Sequence, residues 1–196
     1  MGDELYDQAL DAAAAIDIPL DMLDKTKPWY AAMMIEVMML SRIGFDPTKG
    51  VEMYLLAKAI ADNKPVEGFE TLAEQIGFLD DLSIAAQREM LLSALAEGTR
   101  IDELMEDLIF AWRHGDTGYL ESSLLESFAG HSELNDVLVT DRNQRWARRI
   151  NTLLTGDDDY LIIVGALHLV GDGGVPNLLA EKGFNVRQLS ERASVR

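Results

Sequence analysis

The chain has 196 residues, with 17 Lys plus Arg against 34 Asp plus Glu for a formal charge of −17, and no cysteine. At 48% hydrophobic and 26% charged, the composition is that of a globular domain long enough for a sizeable core, not of a disordered or fibrous chain. The acidity argues against nucleic-acid partners and anionic membranes, and the missing cysteine excludes disulfides, thiolate metal ligands and cysteine nucleophiles.

The Met-Gly start runs into Asp3, Glu4 and Asp7 without the basic and apolar pattern of a secretion signal. Most of the chain up to residue 155 predicts helices stopped at Gly or Pro. The helix at 28–43 opens on Pro28, suited to a first turn, and ends before Gly44. Its core, residues 29–40, is the most apolar stretch, yet it is interrupted by Glu36 and falls short of the roughly 20 apolar residues that span a bilayer. No transmembrane segment is expected. Met33, Met34, Met38 and Met39 on this helix suit core packing better than a binding surface.

Residues 50–63 set Met53, Leu56, Ala57 and Ile60 on one stripe, and residues 101–113 do the same with Ile101, Leu104, Met105, Leu108, Ile109 and Trp112. Two more helices are expected at 71–81 and 83–97. A helix over 132–155 carries Trp146, Ile150, Leu153 and Leu154 on its apolar face. Strands are few. Residues 64–70 predict a short one entered through Pro65, and the run Tyr160-Leu161-Ile162-Ile163-Val164 predicts one covered on both faces. A helix over 175–182 stops at Gly183, and 185–189 predicts a last strand. This strand–helix–strand ending implies a right-handed crossover and a parallel pair. The expected fold is a single α+β domain over 1–196, predominantly helical with a small central, partly parallel sheet.

The segment Gly165-Ala166-Leu167-His168 follows the apolar run directly, at the carboxyl edge where open α/β sheets place ligands. Neutral imidazole there serves as a metal ligand or as an acid or base; the competing reading is a histidine that only closes a loop. Counting back along the 132–155 helix puts Arg142 and Asn143 on or beside the buried face, where a charge requires a partner. A carboxylate, a backbone carbonyl and an anionic substrate group all remain open for Arg142. Glu70, at the junction of the 64–70 strand and the next helix, either caps that helix or reaches His168 or a metal. His114 and His131, at helix ends beside glycines, suit favourable C-terminal charges or surface positions. Gly171-Asp172-Gly173-Gly174 precedes a helix, but Asp172 would repel a phosphate, so a plain loop is the better reading.

These segments, in order, resemble the TraB/GumN family, which is related to the Tiki and PrgY proteins. The resemblance spans 27–189: Lys27-Pro28-Trp29, Gly50-Val51-Glu52, the 64–71 segment ending Gly68-Phe69-Glu70-Thr71, Trp112-Arg113-His114-Gly115-Asp116, Arg142-Asn143-Gln144-Arg145-Trp146 and Gly165-x-x-His168. The family's Tiki branch implies metal-dependent proteolysis using two Gly-x-x-His motifs and acidic residues. Of these the chain matches the second motif, at Gly165 and His168, together with Glu70 and the Arg142-Asn143 pair. The first motif has no counterpart, since Ala111 and Phe128 stand three residues before His114 and His131. The resemblance therefore implies the C-terminal portion of such a protein, weakly active or inactive by itself.

On that reading His168 is a metal ligand for zinc, manganese or cobalt, and Glu70, Arg142 and Asn143 are catalytic. The substrate would be a peptide or protein. The alternative is a non-catalytic helical module that binds a partner or forms a homodimer through an exposed apolar face. The compartment is open; a bacterial periplasm or cell envelope is compatible with an upstream signal.

Overall fold

The computed structural model describes residues 3–19, 25–126, 128 and 130–189; the Met1-Gly2 start lies outside them. The chain divides into two compact units, Met1–Leu104 and Met105–Arg196.

In the first unit α1 (Asp3–Ala15), α2 (Pro28–Arg42) and α5 (Ile84–Gly98) build the core, with α3 (Val51–Ala61) and α4 (Leu72–Asp80) between them in sequence. Small residues allow the close approach. Ala9, Ala13, Ala31, Ala32 and Ala94 lie buried beside Ile35, Met39, Leu91 and Leu95. A Cβ on Gly98 would stand 3.0 Å from Ile16 Cδ1. Pro28 sits in the first turn of α2, as expected, and Gly44 at φ +94° follows its end. The Arg42 guanidinium reaches back to the Ile16 and Asp17 carbonyls just past α1. Thr71 and Glu74 form a capping box on α4 (Thr71 N–H to Glu74 Oε2 2.7 Å; Glu74 N–H to Thr71 Oγ1 3.2 Å), and Ser83 caps α5.

The methionines divide. Met39 is in the core and Met38 packs on it, while Met33 and Met34 are half-buried. The α3 stripe behaves differently: α3 and α4 have no buried residue, and Tyr54, Ile60 and Leu72 are 62%, 65% and 72% exposed.

In the second unit the end of α6 (Ile101–His114) packs with α7 (Thr117–Glu126) around Ala111, Leu120 and Val170. A helical run follows: α8 (Ser132–Asn135), a π turn (Asp136–Thr140) and α9 (Asp141–Leu153). A 3-10 turn (Ala166–Leu169) and α10 (Val175–Glu181) complete it. Val139, Trp146, Ala147 and Ile150 are the buried face of this run.

The expected sheet is absent. No strand occurs among the described residues, so the architecture is helical and not α+β. The apolar runs are real, but a strand requires a ladder, and residues 64–70, 160–164 and 185–189 have no strand partner among the described residues. Without that cover Leu161 and Leu189 stand 76% and 71% exposed. The parallel pair and crossover expected at the carboxyl end fall with it. Periodicity registers what a segment could bury, and a partner decides whether it pairs.

Candidate functional site

The π turn sets the geometry of α9. Its backbone takes one residue more than an α turn, and the Asp141 N–H accordingly bonds to the Asp136 carbonyl five residues back. From there α9 presents Asn143, Trp146 and Ile150 inward, with Asn143 only 1% exposed. Arg142 is half-buried on the flank. Of the partners open to it, the structure provides a backbone carbonyl. Nη1 donates to Leu138 O at 3.2 Å, and the guanidinium carbon lies 4.8 Å from the centre of the Trp146 ring, one turn further on.

His168 enters from the 3-10 turn, whose backbone closes through the His168 N–H on Gly165 O at 3.0 Å. The imidazole is 8% exposed. Its Nδ1 lies 2.6 Å from Asn143 Oδ1, and its ring sits 4.5 Å from Trp146 at an interplanar angle of 54°. Asn143 Nδ2 donates onward to Gly173 O at 2.8 Å. Loop 171–174 gives a second carbonyl to an amide, Gly171 O accepting from Asn177 Nδ2 at 2.8 Å. It is a loop of occupied acceptors, the opposite polarity to a phosphate cradle.

The second unit thus brings together Arg142, Asn143 and His168. Glu70 belongs to the first unit, on a bend ahead of α4, where its Oε2 accepts from Gln75 Nε2 at 3.5 Å. The capping role considered for Glu70 is taken by Thr71 with Glu74. His114 stacks on Phe110 at 4.1 Å and donates from Nδ1 to the Phe110 carbonyl at 2.8 Å, closing the last turn of α6. A cavity of about 390 Å³ between α9 and α10 is lined by Gln144, Ala147, Arg148, Leu178, Glu181 and Lys182, and none of the candidate residues lines it.

Two members of the site were not legible as such in the sequence. Trp146 reads as an apolar stripe residue but also forms a wall against His168 and Arg142. The Gly173 carbonyl carries no side-chain signal at all. Gly165 has an ordinary φ of −59°, and a Cβ there would meet only His168 Cδ2 at 3.9 Å. The glycine that the local packing demands is Gly174, where a Cβ would stand 2.6 Å from Val170 O.

For a metal, the described residues offer His168 but no group of three His, Asp or Glu side chains. One nitrogen does not make a catalytic metal site, which ordinarily takes three protein ligands. The residues gathered here do not fit a resident metal by themselves.

The described residues define a helical protein with a buried histidine–asparagine pair walled by tryptophan and arginine. The chain belongs to the TraB/PrgY/gumN family, whose model matches residues 1–188. Among its relatives is the uncharacterized protein YbaP of Escherichia coli (strain K12), 28% identical over 158 residues, which cover 80% of this chain and 58% of YbaP. YbaP of Shigella flexneri matches to the same extent. Metalloprotease TIKI2 of Danio rerio is 23% identical over 193 residues, 83% of this chain and 37% of TIKI2. The chain therefore spans under two thirds of the length of these relatives. No solved structure matches it. No helix among the described residues is long and apolar enough to cross a membrane.

Proposed function

We propose that the chain serves a hydrolase of the metal-dependent peptidase kind, to which His168 contributes a nitrogen and Arg142 a fixed positive charge. The observation that carries this reading is the convergence in the second unit of the buried His168 ring on Asn143 and on Trp146, the same indole that carries the Arg142 guanidinium. The name of TIKI2 supports the reaction class. Zinc, manganese or cobalt would supply a Lewis acid in such a hydrolase. The chain's own residues act on charge and protons: His168 holds or accepts a proton, and Arg142 stabilises a carboxylate or a developing oxyanion.

The test is hydrolysis of a peptide library with each of the three metals added, comparing the wild type with His168→Ala. Cleavage that disappears in the variant supports the reading. Cleavage at equal rates by the two overturns it.

A second reading, a module that binds a partner or dimerises, is favoured by α3 and α4, whose apolar residues are all at least partly exposed. Light scattering across a concentration series tests the dimer, and a constant monomer mass rejects it.

A further inference from the structure

We infer that Asn143 is the positioning residue for His168: its amide holds the imidazole as the Nδ1–H tautomer and assigns the acceptor lone pair to Nε2. The inference deepens the hydrolase reading and rests on it for its use, although the proton at Nδ1 itself follows from the bond to Asn143.

The argument starts at Gly173. A backbone carbonyl oxygen only accepts, so the Asn143 atom 2.8 Å from it is the NH2 group. The other amide atom is then Oδ1, also only an acceptor, and it lies 2.6 Å from Nδ1 of His168. Two acceptors at that distance would repel, so Nδ1 carries the hydrogen. Turning the amide over would set oxygen against oxygen at Gly173 and lose the bond there. Asn143 is 1% and His168 8% exposed, so water does not readily replace a lost bond and the penalty is that of buried unpaired polar groups.

The far end of this relay is tied down by close packing and a hydrogen bond. A Cβ at Gly174 would stand 2.6 Å from Val170 O and 3.0 Å from Gly171 O, so the loop closes tightly on its own backbone next to Gly173. Asn177 ties the same loop through Gly171 O. Order therefore runs from the loop to Gly173 O, through the amide, to the imidazole. Asn143 touches the ring, and it acts on a substrate only through that ring. The polarity matters because the other tautomer presents an N–H at Nε2, which neither accepts a proton nor binds a cation.

The experiment is long-range proton–nitrogen NMR of the full chain at alkaline pH, where the rings are neutral. The chain has 3 histidines, and the signals lost in His168→Gln identify the ring. The expected wild-type spectrum has His168 protonated at Nδ1 and bare at Nε2. Asn143→Asp keeps an acceptor and should keep that pattern. Asn143→Leu removes it and should shift the population toward the Nε2–H form, with the His114 and His131 signals and circular dichroism reporting an intact fold.

A wild-type ring protonated at Nε2, or an Asn143→Leu spectrum identical to wild type, overturns the inference. Should the leucine variant fail to fold, the wild-type and aspartate spectra still decide it. Peptide assays that fail would count against the hydrolase reading and leave the tautomer standing. A reversed tautomer would do the converse.

Discussion

Trp146 lies against His168 with ring centroids 4.5 Å apart, and the same indole carries the Arg142 guanidinium at 4.8 Å. One buried ring thus contacts both His168 and Arg142, and at 6% exposure it is also a core side chain. Trp146→Ala should cost about 3–5 kcal/mol in urea unfolding, the range for emptying a large aromatic site. Trp146→Phe keeps an aromatic face for both neighbours and should cost distinctly less. An alanine variant within about 1 kcal/mol of wild type would mean that this wall carries no more than an ordinary point substitution does.

The glycines of the same region make opposite predictions. Gly174→Ala drives a Cβ into the Val170 carbonyl, and the backbone shift needed should cost about 1–3 kcal/mol. Gly165→Ala has φ −59° and only a 3.9 Å contact to accept. It should be neutral or stabilising by up to about 1 kcal/mol, through the lost entropy of the unfolded chain. Thermal unfolding of the two variants side by side checks the order, and Gly165→Ala being the more damaging would contradict it.

The sequence disclosed most of the helices, though not α1 or α7, because their ends are written in local chemistry. Pro28 starts α2, Thr71 and Glu74 cap α4, and Gly183 at φ +92° follows α10. The α9 stripe was likewise legible, since counting from Trp146 and Ile150 put Arg142 and Asn143 on or beside the buried face; the structure sets Asn143 inside and Arg142 on the flank. What was not legible depends on partners distant in the chain. An apolar run such as 160–164 reports a preference for burial but not whether a neighbouring strand exists to pair with it. The π turn escaped because one inserted residue leaves the pattern of apolar positions nearly unchanged, and Gly173 because a carbonyl has no letter of its own.

The Lys27-Pro28-Trp29 segment meets α4 at Asp80: Trp29 Nε1 donates to Oδ1 at 3.0 Å and Lys27 Nζ lies 2.6 Å from the same oxygen. These partners hold the Asp80 carboxyl below its ordinary 3.8, Lys27 contributing most and Trp29 next. A depressed native value means the folded state prefers the ionised group, so this contribution is present above the ordinary value and is lost as pH falls through the native one. Asp80→Asn should therefore be less stable than wild type at neutral pH, and the gap should close in acid. Urea unfolding at a series of pH values checks this. A gap that widens on acidification would reverse the assignment.

Glu36 on α2 has the opposite sign. Burial raises its carboxyl above the ordinary 4.5, and repulsion from Glu97 on α5 raises it further; Glu97 is itself raised by burial. Here the folded state prefers the protonated form, so the favourable contribution is complete below the ordinary value and is lost as pH rises through the native one. Glu36→Gln should consequently be more stable than wild type at neutral pH, with an advantage that shrinks as the pH is lowered and wild-type Glu36 takes up its proton. Glu97→Gln should bring the Glu36 titration part of the way back toward its ordinary value, since it removes the repulsion but not the burial. Carboxyl NMR titration of the single variants separates the two causes. If Glu36 titrates identically with and without the Glu97 charge, burial alone accounts for its shift.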